Sequence, residues 1–285
     1  MLEFQNDKNA SGIEILFHST LPKASGLSSS AALEVLCYYV FSQTWKNEEP
    51  DRVKMAVDCQ RVENNFIGVQ CGIMDQFAVA NGKKNHAIQL NCDSLSFSYS
   101  PIFLGEYSLI IVNSNKSREL AESAYNQRLK ECQEALSIIQ KHRSIDQLVN
   151  ANDNDLEFLE SEVLQRRVKH AFTEQNRVLE SSKALKNKEL NRFGQLLNAS
   201  HQSLKNDFEV SCSELDFIVD NLQENQHSLG ARMTGAGFGG CAIALIKTQS
   251  METVMKRLTK MYREQFGLQL DWYTCKIADG VKTLA

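Results

Sequence analysis

The serine-rich segment Leu21–Leu36 constrains the fold more than any other part of this chain. It reads LPKASGLSSSAALEVL, so a glycine and three consecutive serines stand directly before a run of apolar residues. From Leu33 these residues recur at the spacing of one helical face, and serines in front of such a face are typical N-terminal caps. Backbone N–H groups at a helix N-terminus, together with the helix dipole, also bind anions. The segment therefore predicts a capped helix that is either purely structural or binds an anion.

Length and composition indicate a globular protein of two lobes. The chain has 285 residues, more than a usual single domain, with 42% hydrophobic and 23% charged residues. The net charge of −4 lacks the basic character of nucleic-acid-binding proteins. Apolar runs such as Cys241–Ile246 are too short to cross a bilayer, and Met1–Ala10 lacks the apolar core of a signal peptide. We therefore expect a cytoplasmic protein with no nucleic-acid or membrane partner.

The spacing of cysteines and histidines predicts neither a zinc site nor a redox motif. The eight cysteines include no CxxC pair, and the six histidines are scattered along the chain. Most of the cysteines lie within apolar runs, which predicts buried free thiols.

Strand and helix patterns intermix in both halves of the chain, which indicates the α+β class. The patterns predict strands at Ile13–His18, Ala87–Cys92, Ser96–Tyr99, Leu109–Val112, Met233–Ile246 and Leu268–Ile277. They predict helices at Leu33–Phe41, Asp51–Asn64, Ala121–Ile139, Leu164–Ser182, Leu190–Leu204, Ser213–Gln223 and Met251–Phe266. The boundary between the two lobes is predicted within residues 93–105.

Two acidic residues, Glu63 and Asp75, are candidates for catalytic chemistry. Asp75 follows Gly72-Ile73-Met74, an apolar setting in which a partly desolvated carboxylate could act as a general base. The alternative for Asp75 is a helix cap. Glu63 stands at the end of the second helix, where a solvated surface acid is the ordinary interpretation. A carboxylate that meets a serine hydroxyl could instead hold Mg²⁺ together with phosphate oxygens, so both interpretations of Glu63 stay open.

The glycine-rich segment Gly230–Cys241 reads GARMTGAGFGGC. Gly235, Gly237 and Gly240 formally match the dinucleotide fingerprint GxGxxG. The match fails in context, because a strand rather than a helix is predicted to follow it. The segment instead predicts a loop whose backbone closely approaches a ligand or another loop, since a purely structural turn would not need so many glycines.

Together, these three segments resemble the galactokinase branch of the GHMP small-molecule kinase family. The serine loop is similar to the family's phosphate-binding motif, CGIMDQ to its catalytic-base motif, and ARMTGAGFGGC to its C-terminal glycine loop. The resemblance runs along essentially the whole chain. Further similarities are found at Asn113-Ser114-Asn115, Tyr125, Arg128, Cys132-Gln133, Arg167–Arg177 with His170 and Glu174, Ser200-His201 and Ser211-Cys212.

The resemblance implies a two-lobed GHMP kinase fold of the α+β class. The N-terminal lobe would be like ribosomal protein S5 domain 2 and incomplete, and the C-terminal lobe would be ferredoxin-like. We expect the N-terminal domain at residues 1–100 and the C-terminal domain at residues 101–285. A monomer is expected for the complete protein.

The resemblance also implies roles for individual residues. Asp75 would be the base that activates the C1 hydroxyl of the sugar for attack on the γ-phosphate of ATP. Ser30 and Glu63 would hold Mg²⁺, and Gly72, Asp75 and Tyr125 would contact the sugar. The alternative for Tyr125, which fits the apolar stripe of its helix, is burial in the core. The residues that would cradle the phosphates of ATP are Ala24, Ser25, Gly26, Leu27, Ser28, Ser29 and Ser30.

The function implied by the resemblance is ATP-dependent, Mg²⁺-assisted phosphorylation of galactose to galactose 1-phosphate in galactose metabolism. Phosphoryl transfer needs mainly positioning and charge neutralisation, which these residues could supply. Two alternatives stay open: a kinase for N-acetylgalactosamine, and a non-catalytic sugar sensor that acts as a co-regulator. Retention of Asp75, Ser30 and Glu63 argues against the sensor, because a sensor needs no base.

Two departures from the family's pattern bear on activity. Ala24 stands where the family usually has glycine, and alanine would restrict the backbone if a positive φ is needed there. The family's opening signature contains an arginine near the base and a Glu-His-Asp cluster that binds the sugar, and it has no counterpart in Met1–Thr20. We therefore expect a chain that is truncated relative to the family, with impaired kinase activity.

Overall fold

The structure of the protein is a computed structural model, and it describes residues 12–21, 27–68, 71–117 and 121–284, without the side chains of 121 and 122. The chain divides into two compact units, one of Met1–Ile102 with Lys276–Ala285 and one of Phe103–Cys275. The chain passes from the first unit to the second between Ile102 and Phe103, inside the interval 93–105 in which the boundary was predicted. The sequence-based division differs at the other end, because it assigned residues 276–285 to the second domain and the structure places them in the first unit.

Three helices and one antiparallel hairpin make up the described part of the first unit. They are α1 (Ser29–Phe41), α2 (Arg52–Val62), α3 (Met74–Asn81), β1 (His86–Leu90) and β2 (Phe97–Pro101). Helices α1 and α2 each continue into a π-helical turn, at Ser42–Lys46 and Glu63–Ile67. The residues that the three helices bury together are Val35, Tyr39, Met55, Ala56, Cys59, Ile73, Phe77 and Ala80.

The C-terminal tail packs on the first unit because backbone and arginine hydrogen bonds hold it there. The N–H of Gly280 donates to the carbonyl oxygen of Gly82 at 2.8 Å. Arg52 Nη1 donates to the carbonyl oxygens of Ala80 and Val281, each at 2.9 Å. These partners are far apart in the sequence, so local patterns could not assign the tail to this unit.

An antiparallel four-stranded sheet forms the centre of the second unit. Its strands are β3 (Tyr107–Asn113), β4 (Ser228–Thr234), β5 (Cys241–Lys247) and β6 (Asp271–Cys275), in the spatial order β4-β5-β3-β6. The helices are α4 (Ala121–Ile139), α5 (Glu162–Lys186), α6 (Leu190–Asn206), α7 (Ser213–Gln223) and α8 (Met251–Phe266). Helices α4 to α7 connect β3 to β4, a hairpin connects β4 to β5, and α8 connects β5 to β6. This is the βαββαβ arrangement of the ferredoxin-like fold that the family resemblance implies.

Helix α6 lies against β4 with the two backbones in direct contact. A Cβ atom added at Gly194 on α6 would lie 2.3 Å from the carbonyl oxygen of Leu229. A Cβ atom added at Gly230 on β4 would lie 2.1 Å from the carbonyl oxygen of Gly194. Glycine at both positions therefore permits an approach that side chains would prevent.

The sequence patterns predict seven of the eight α-helices of the described part, and α3 was missed. The single strand predicted at Met233–Ile246 is two strands, β4 and β5, with the glycine-rich turn between them. The strand predicted at Ile13–His18 is wrong. Residues 12–20 have no regular structure, and Ile15, Leu16 and Phe17 are exposed. A strand needs a neighbour to satisfy its backbone, and none of the described strands pairs with Ile13–His18. A short run rich in apolar residues is thus insufficient evidence for a strand.

The cysteines are less buried than their apolar neighbours predict. All eight lie within the described residues and none forms a disulfide, but only Cys59 and Cys241 are buried, and Cys92 is exposed. None of the described helices combines the length and apolarity needed to cross a membrane.

Candidate active site

The start of α1 contains the described part of the predicted phosphate-binding segment. Ser29 and Ser30 are exposed in the first turn of the helix, and Leu27 and Ser28 directly precede them. Ala24–Gly26 lies outside the described residues. The predicted side-chain cap is not formed, because Ser28 has a left-handed backbone (φ 56°) instead of the extended one that capping serines use. The first N–H groups of a helix have no acceptor within it, so this helix end can still bind an anion.

Two carboxyl groups meet close to this helix start. Glu34 lies on α1, four residues after Ser30 and therefore on the same helical face. Glu63 lies in the π-helical turn after α2 and is buried, so its interpretation as a solvated surface acid is wrong. Burial and a hydrogen bond between the two carboxyl groups raise the pKa of Glu34 to about 7. A second carboxyl group so close to Glu34 makes its charged form less favourable, and a bound cation would offset this effect.

The side chain of Gln76 connects α3 to this carboxyl pair. Its Nε2 donates to Oε2 of Glu34 at 3.2 Å. Gln76 is only 2% exposed, and its Oε1 has no hydrogen-bond partner among the described residues. Sequence reasoning missed both Glu34 and Gln76. The spacing of four residues between Ser30 and Glu34 on a predicted helix is the signal that could have identified Glu34.

Asp75 lies in the first turn of α3 and is partly buried. The N-cap of this helix is Ile73, and the Asp75 carboxylate makes no hydrogen bond to any described residue, so the helix-cap interpretation has no support. Negative charge is stabilised at a helix N-terminus by the helix dipole. A Cβ atom at Gly72 would have no atom within 4 Å, so the space beside the start of α3 is open.

Helix α2 fixes the chain that leads into α3. The N–H of Cys71 donates to Oδ1 of Asn64 at 2.9 Å. Gln60 Nε2 donates to the carbonyl oxygen of Cys71 at 3.0 Å. The direction in which the chain enters the helix of Asp75 is therefore set by contacts with α2 and its π-helical turn.

Tyr125 belongs to the second unit, whereas Ser30, Glu63, Gly72 and Asp75 belong to the first. It lies on α4 and is 40% exposed, so its interpretation as a buried core residue is wrong. The ring is thus accessible to a ligand.

The glycine-rich turn joins β4 to β5 and packs closely against another loop. Positive φ angles occur at Gly235, Gly237, Phe238, Gly239 and Gly240. A Cβ atom at Gly237 would lie 2.1 Å from the carbonyl oxygen of Val210, and the N–H of Phe238 donates to the same oxygen at 2.7 Å. The predicted close backbone approach is confirmed. The turn joins two antiparallel strands, which excludes the dinucleotide fingerprint.

A partly buried polar cluster links α5, α6 and β4, and it contains several residues that carry the family resemblance. Glu174 accepts hydrogen bonds from Ser200 Oγ at 2.5 Å and from Arg232 Nη1 at 3.3 Å. Burial acts to raise the pKa of Glu174, but Arg232 and the hydrogen bonds outweigh it and hold that pKa below its ordinary value. His170 and His201 are also buried, and burial lowers the pKa of each to about 4. The cluster holds β4 where it enters the glycine-rich turn.

Comparison with known protein families matches both ends of the chain. The family described as "GHMP kinases N terminal domain" matches residues 1–83, and "GHMP kinases C terminal" matches residues 181–264. The galactokinase of Staphylococcus carnosus (strain TM300) is 45% identical over 276 residues, which are 95% of this chain and 71% of that relative. The chain belongs to the galactokinase branch of the GHMP kinase family.

Other galactokinases and a further kinase structure are also similar to this chain. The galactokinase of Bacillus subtilis (strain 168) is 40% identical over 277 residues, covering 96% of this chain and 71% of that relative. The crystal structure of Lactococcus lactis galactokinase complexed with galactose matches with a TM-score of 0.87 and 40% identity, over 93% of this chain and 69% of that chain. Mevalonate kinase from L. major, with 17% identity and a TM-score of 0.58, shares the fold. The predicted two-lobed GHMP kinase fold is thus confirmed, and the chain is a kinase, a phosphotransferase.

Proposed function

We propose that this kinase transfers the γ-phosphate of ATP to the C1 hydroxyl of galactose and so forms galactose 1-phosphate. The relatives from S. carnosus and B. subtilis are galactokinases, and the similar L. lactis structure contains galactose. The observation that carries the proposal is the carboxylate of Asp75, which is partly buried at the start of α3 and has no partner among the described residues. The proposal includes a monomeric enzyme located in the cytoplasm.

Asp75 is the proposed general base. A carboxylate that accepts no other hydrogen bond can accept the proton of the C1 hydroxyl while the hydroxyl oxygen attacks the γ-phosphorus. The bond between the sugar oxygen and the phosphorus forms, the bond to the bridging oxygen of ATP breaks, and ADP leaves. Gly72 and Tyr125 are the proposed sugar contacts, and both are exposed in their own units.

The first turn of α1 is the proposed site for the phosphates of ATP. Leu27, Ser28, Ser29 and Ser30 would bind them together with Ala24–Gly26. Free N–H groups and the positive end of the helix dipole favour phosphate at such a position. The first turn contains no acidic residue, so no charge there repels the phosphates.

The oxygen atoms near Ser30 fit the Mg²⁺ ion that the family implies. Ser30 and Glu63 would hold the ion, whose bound charge would neutralise the phosphoryl group in transfer. The fit rests on the neighbouring carboxyl groups of Glu34 and Glu63, whose proximity helps to raise the pKa of Glu34 and which a divalent cation would neutralise, and on the unpartnered oxygen of Gln76. The described residues contain no group of three or more histidine, cysteine or acidic side chains that could hold a metal alone. Mg²⁺ ordinarily takes further ligands from substrate phosphates.

An assay of ADP release with different sugars tests the proposal. The purified chain is given ATP and Mg²⁺ with galactose, N-acetylgalactosamine or glucose, and we expect turnover to be highest with galactose. A preference for N-acetylgalactosamine would contradict the substrate assignment, and galactose binding without any ADP release would favour the sensor. Comparison of kcat with that of the S. carnosus relative measures whether activity is reduced, as the sequence predicts.

The base is tested with a matched pair of variants. Asp75→Asn should lower kcat by about 10²–10⁴-fold, the usual contribution of a general base. Asp93→Asn changes an exposed aspartate in the turn between β1 and β2 of the same unit and should leave kcat unchanged. Equal kcat in Asp75→Asn and in the wild type would exclude Asp75 as the base.

A further inference from the structure

A buried arginine, Arg167 on α5, lies at the centre of an ionic network in the second unit. It is 1% exposed and makes three hydrogen bonds. Its Nε donates to Oε2 of Glu131 on α4 at 2.7 Å, its Nη1 to the carbonyl oxygen of Asp207 at 2.6 Å, and its Nη2 to Oε2 of Glu209 at 2.6 Å. The guanidinium therefore joins α4 to the segment 207–210, which leads from α6 to α7. Its planar set of donors reaches three acceptors at once, and a lysine ammonium could not reproduce this geometry.

Two further arginines hold the same segment. Arg128 Nη1 donates to both carboxylate oxygens of Glu131 at 3.0 Å, and Arg128 Nε donates to the carbonyl oxygen of Phe208 at 2.8 Å. Arg166 Nη2 donates to Oε1 of Glu209 at 3.0 Å. Three guanidinium groups thus face two carboxylates, and charge-assisted hydrogen bonds of this kind are shorter and stronger than neutral ones.

The segment held by these arginines is also the support of the glycine-rich turn. The carbonyl oxygen of Val210 accepts the N–H of Phe238 at 2.7 Å, and it leaves no room for a Cβ atom at Gly237. Glu209, directly before Val210, has a φ of 54°, a left-handed conformation that costs free energy for a residue other than glycine. A backbone in such a conformation persists only when its surroundings hold it, and Arg167 is the buried contact that does so.

We propose that Arg167 is a positioning residue: by holding the segment 207–210, it fixes the glycine-rich turn 235–240 in the conformation that the kinase uses. Its effect on catalysis rests on the proposed function, whereas its effect on the turn does not. The network also reaches the proposed sugar contact, because Arg128 lies three residues after Tyr125 on the same face of α4. Loss of Arg167 should therefore loosen the turn without separating the strands that flank it.

Hydrogen exchange at the amide of Phe238 tests this directly. Arg167→Lys keeps the charge but loses the planar set of donors. Glu209→Ala removes a 42% exposed side chain from the same network and carries little risk of preventing folding. In both variants we expect the Phe238 amide to exchange about 10- to 100-fold faster, the effect of losing one charge-assisted hydrogen bond. The amides of β5 that bond to β3 should keep their wild-type protection.

A second ion pair of the same unit provides the control. Arg143 pairs with the buried Asp155 and makes no hydrogen bond or ion pair with the segment 207–210, so Arg143→Met should cost stability and leave exchange at Phe238 unchanged. With ATP and galactose, Arg167→Lys and Glu209→Ala should lower kcat by about 10- to 100-fold, with smaller changes in KM, as expected for misplaced groups. The Arg143→Met variant should keep the wild-type kcat.

Two results would overturn the role of Arg167. One is wild-type exchange at Phe238 in both folded variants. The other is acceleration at Phe238 that is matched by the β5 amides, because this would show a loss of global stability only. A wild-type chain that does not phosphorylate galactose would instead refute the proposed function, and the exchange measurement would still decide the role of Arg167.

Discussion

Replacing Gly194 by alanine tests the close packing of α6 on β4. Inside an exposed helix, changing glycine to alanine stabilises a protein by about 1 kcal/mol, because glycine has the greater backbone freedom when unfolded. Gly194 is buried, and an added Cβ would lie 2.3 Å from the carbonyl oxygen and 2.6 Å from the carbonyl carbon of Leu229. Carbon atoms in ordinary contact are about 3.5–4.0 Å apart, so α6 and β4 would have to separate by about 1 Å.

The cost of this separation should exceed the gain in helix propensity. The obstructing atoms belong to the backbone of β4 and cannot rotate away as a flexible side chain would. Gly230 lies on the β4 side of the same contact, and a Cβ atom there would lie 2.1 Å from the carbonyl oxygen of Gly194. Overpacking costs about 1–3 kcal/mol, and a backbone overlap belongs at the upper end of that range. After the propensity gain is subtracted, we expect Gly194→Ala to lower the free energy of unfolding by about 2 kcal/mol.

Urea unfolding followed by circular dichroism measures this free energy. The midpoint should fall while the m-value stays constant, because the variant changes stability and not the surface exposed on unfolding. Ala199→Gly, at an exposed position of the same helix, is the control for propensity and should cost about 1 kcal/mol. If Gly194→Ala unfolds at the wild-type midpoint or above it, the two backbones do not approach as closely as described and the reasoning fails.

Three more predictions concern the glycine-rich turn, the buried histidines and the metal. Gly237→Ala places a Cβ at a φ of 88° and 2.1 Å from the carbonyl oxygen of Val210, so ADP release with galactose should fall at least about tenfold; an unchanged rate would contradict this. Stability should fall as the pH drops from 6.5 towards 4, because burial lowers the pKa of His170 and His201 to about 4 while the unfolded chain protonates them near 6.5. The two protons give a slope of up to about 3 kcal/mol per pH unit, which urea unfolding measures and which His201→Asn should halve; an unaltered slope would rule out this role of His201. Glu63→Gln should raise the Mg²⁺ concentration needed for half-maximal ADP release at least about tenfold, and an identical requirement would remove Glu63 from the ligands.

The predictable part of the fold is the part that local spacing determines. Long helices such as α5 and α6 can be predicted from apolar residues at helical spacing, and the structure contains both. The segment Ile13–His18 is rich in apolar residues, as many strands are, but whether a partner strand lies beside it depends on distant parts of the chain. The tail 276–285 shows the same limit, because Arg52 and Gly82 hold it from the opposite end of the sequence.

The candidate site likewise has features that the local sequence predicts and features that it does not. The glycine-rich turn was predictable as a place of close backbone approach, because only glycine tolerates such conformations readily and the sequence supplies several. Glu63 was not predictable as a buried residue from helical spacing. It begins a π-helical turn, and the wider turn changes the direction of the side chains relative to an α-helix. Its contact with Glu34 joins α1 to the turn after α2, and the sequence pattern of neither helix indicates that the two lie side by side.

The ionic network of the second unit shows how much of a buried polar contact a sequence can reveal. Arg167 lies three residues after Leu164 and one before Val168, both buried, so it stands on the inward face of α5. Glu131 lies four residues before the buried Ala135 and stands on the inward face of α4. Two opposite charges on the inward faces of consecutive helices must find partners, since an unpaired buried charge is too costly to retain. The pairing of Arg167 with Glu131 could therefore have been predicted from the sequence.

The third member of the network was not open to prediction. Glu209 lies in a short segment between α6 and α7 with no periodicity, and 42% of its side chain is exposed, so by itself it resembles a solvated surface acid. Only the packing of α4, α5 and α6 brings that segment within reach of Arg167. The link from a buried charge to the glycine-rich turn runs through this segment. For this reason a local measurement at Phe238 is the decisive test of whether the network positions the turn or only stabilises the unit.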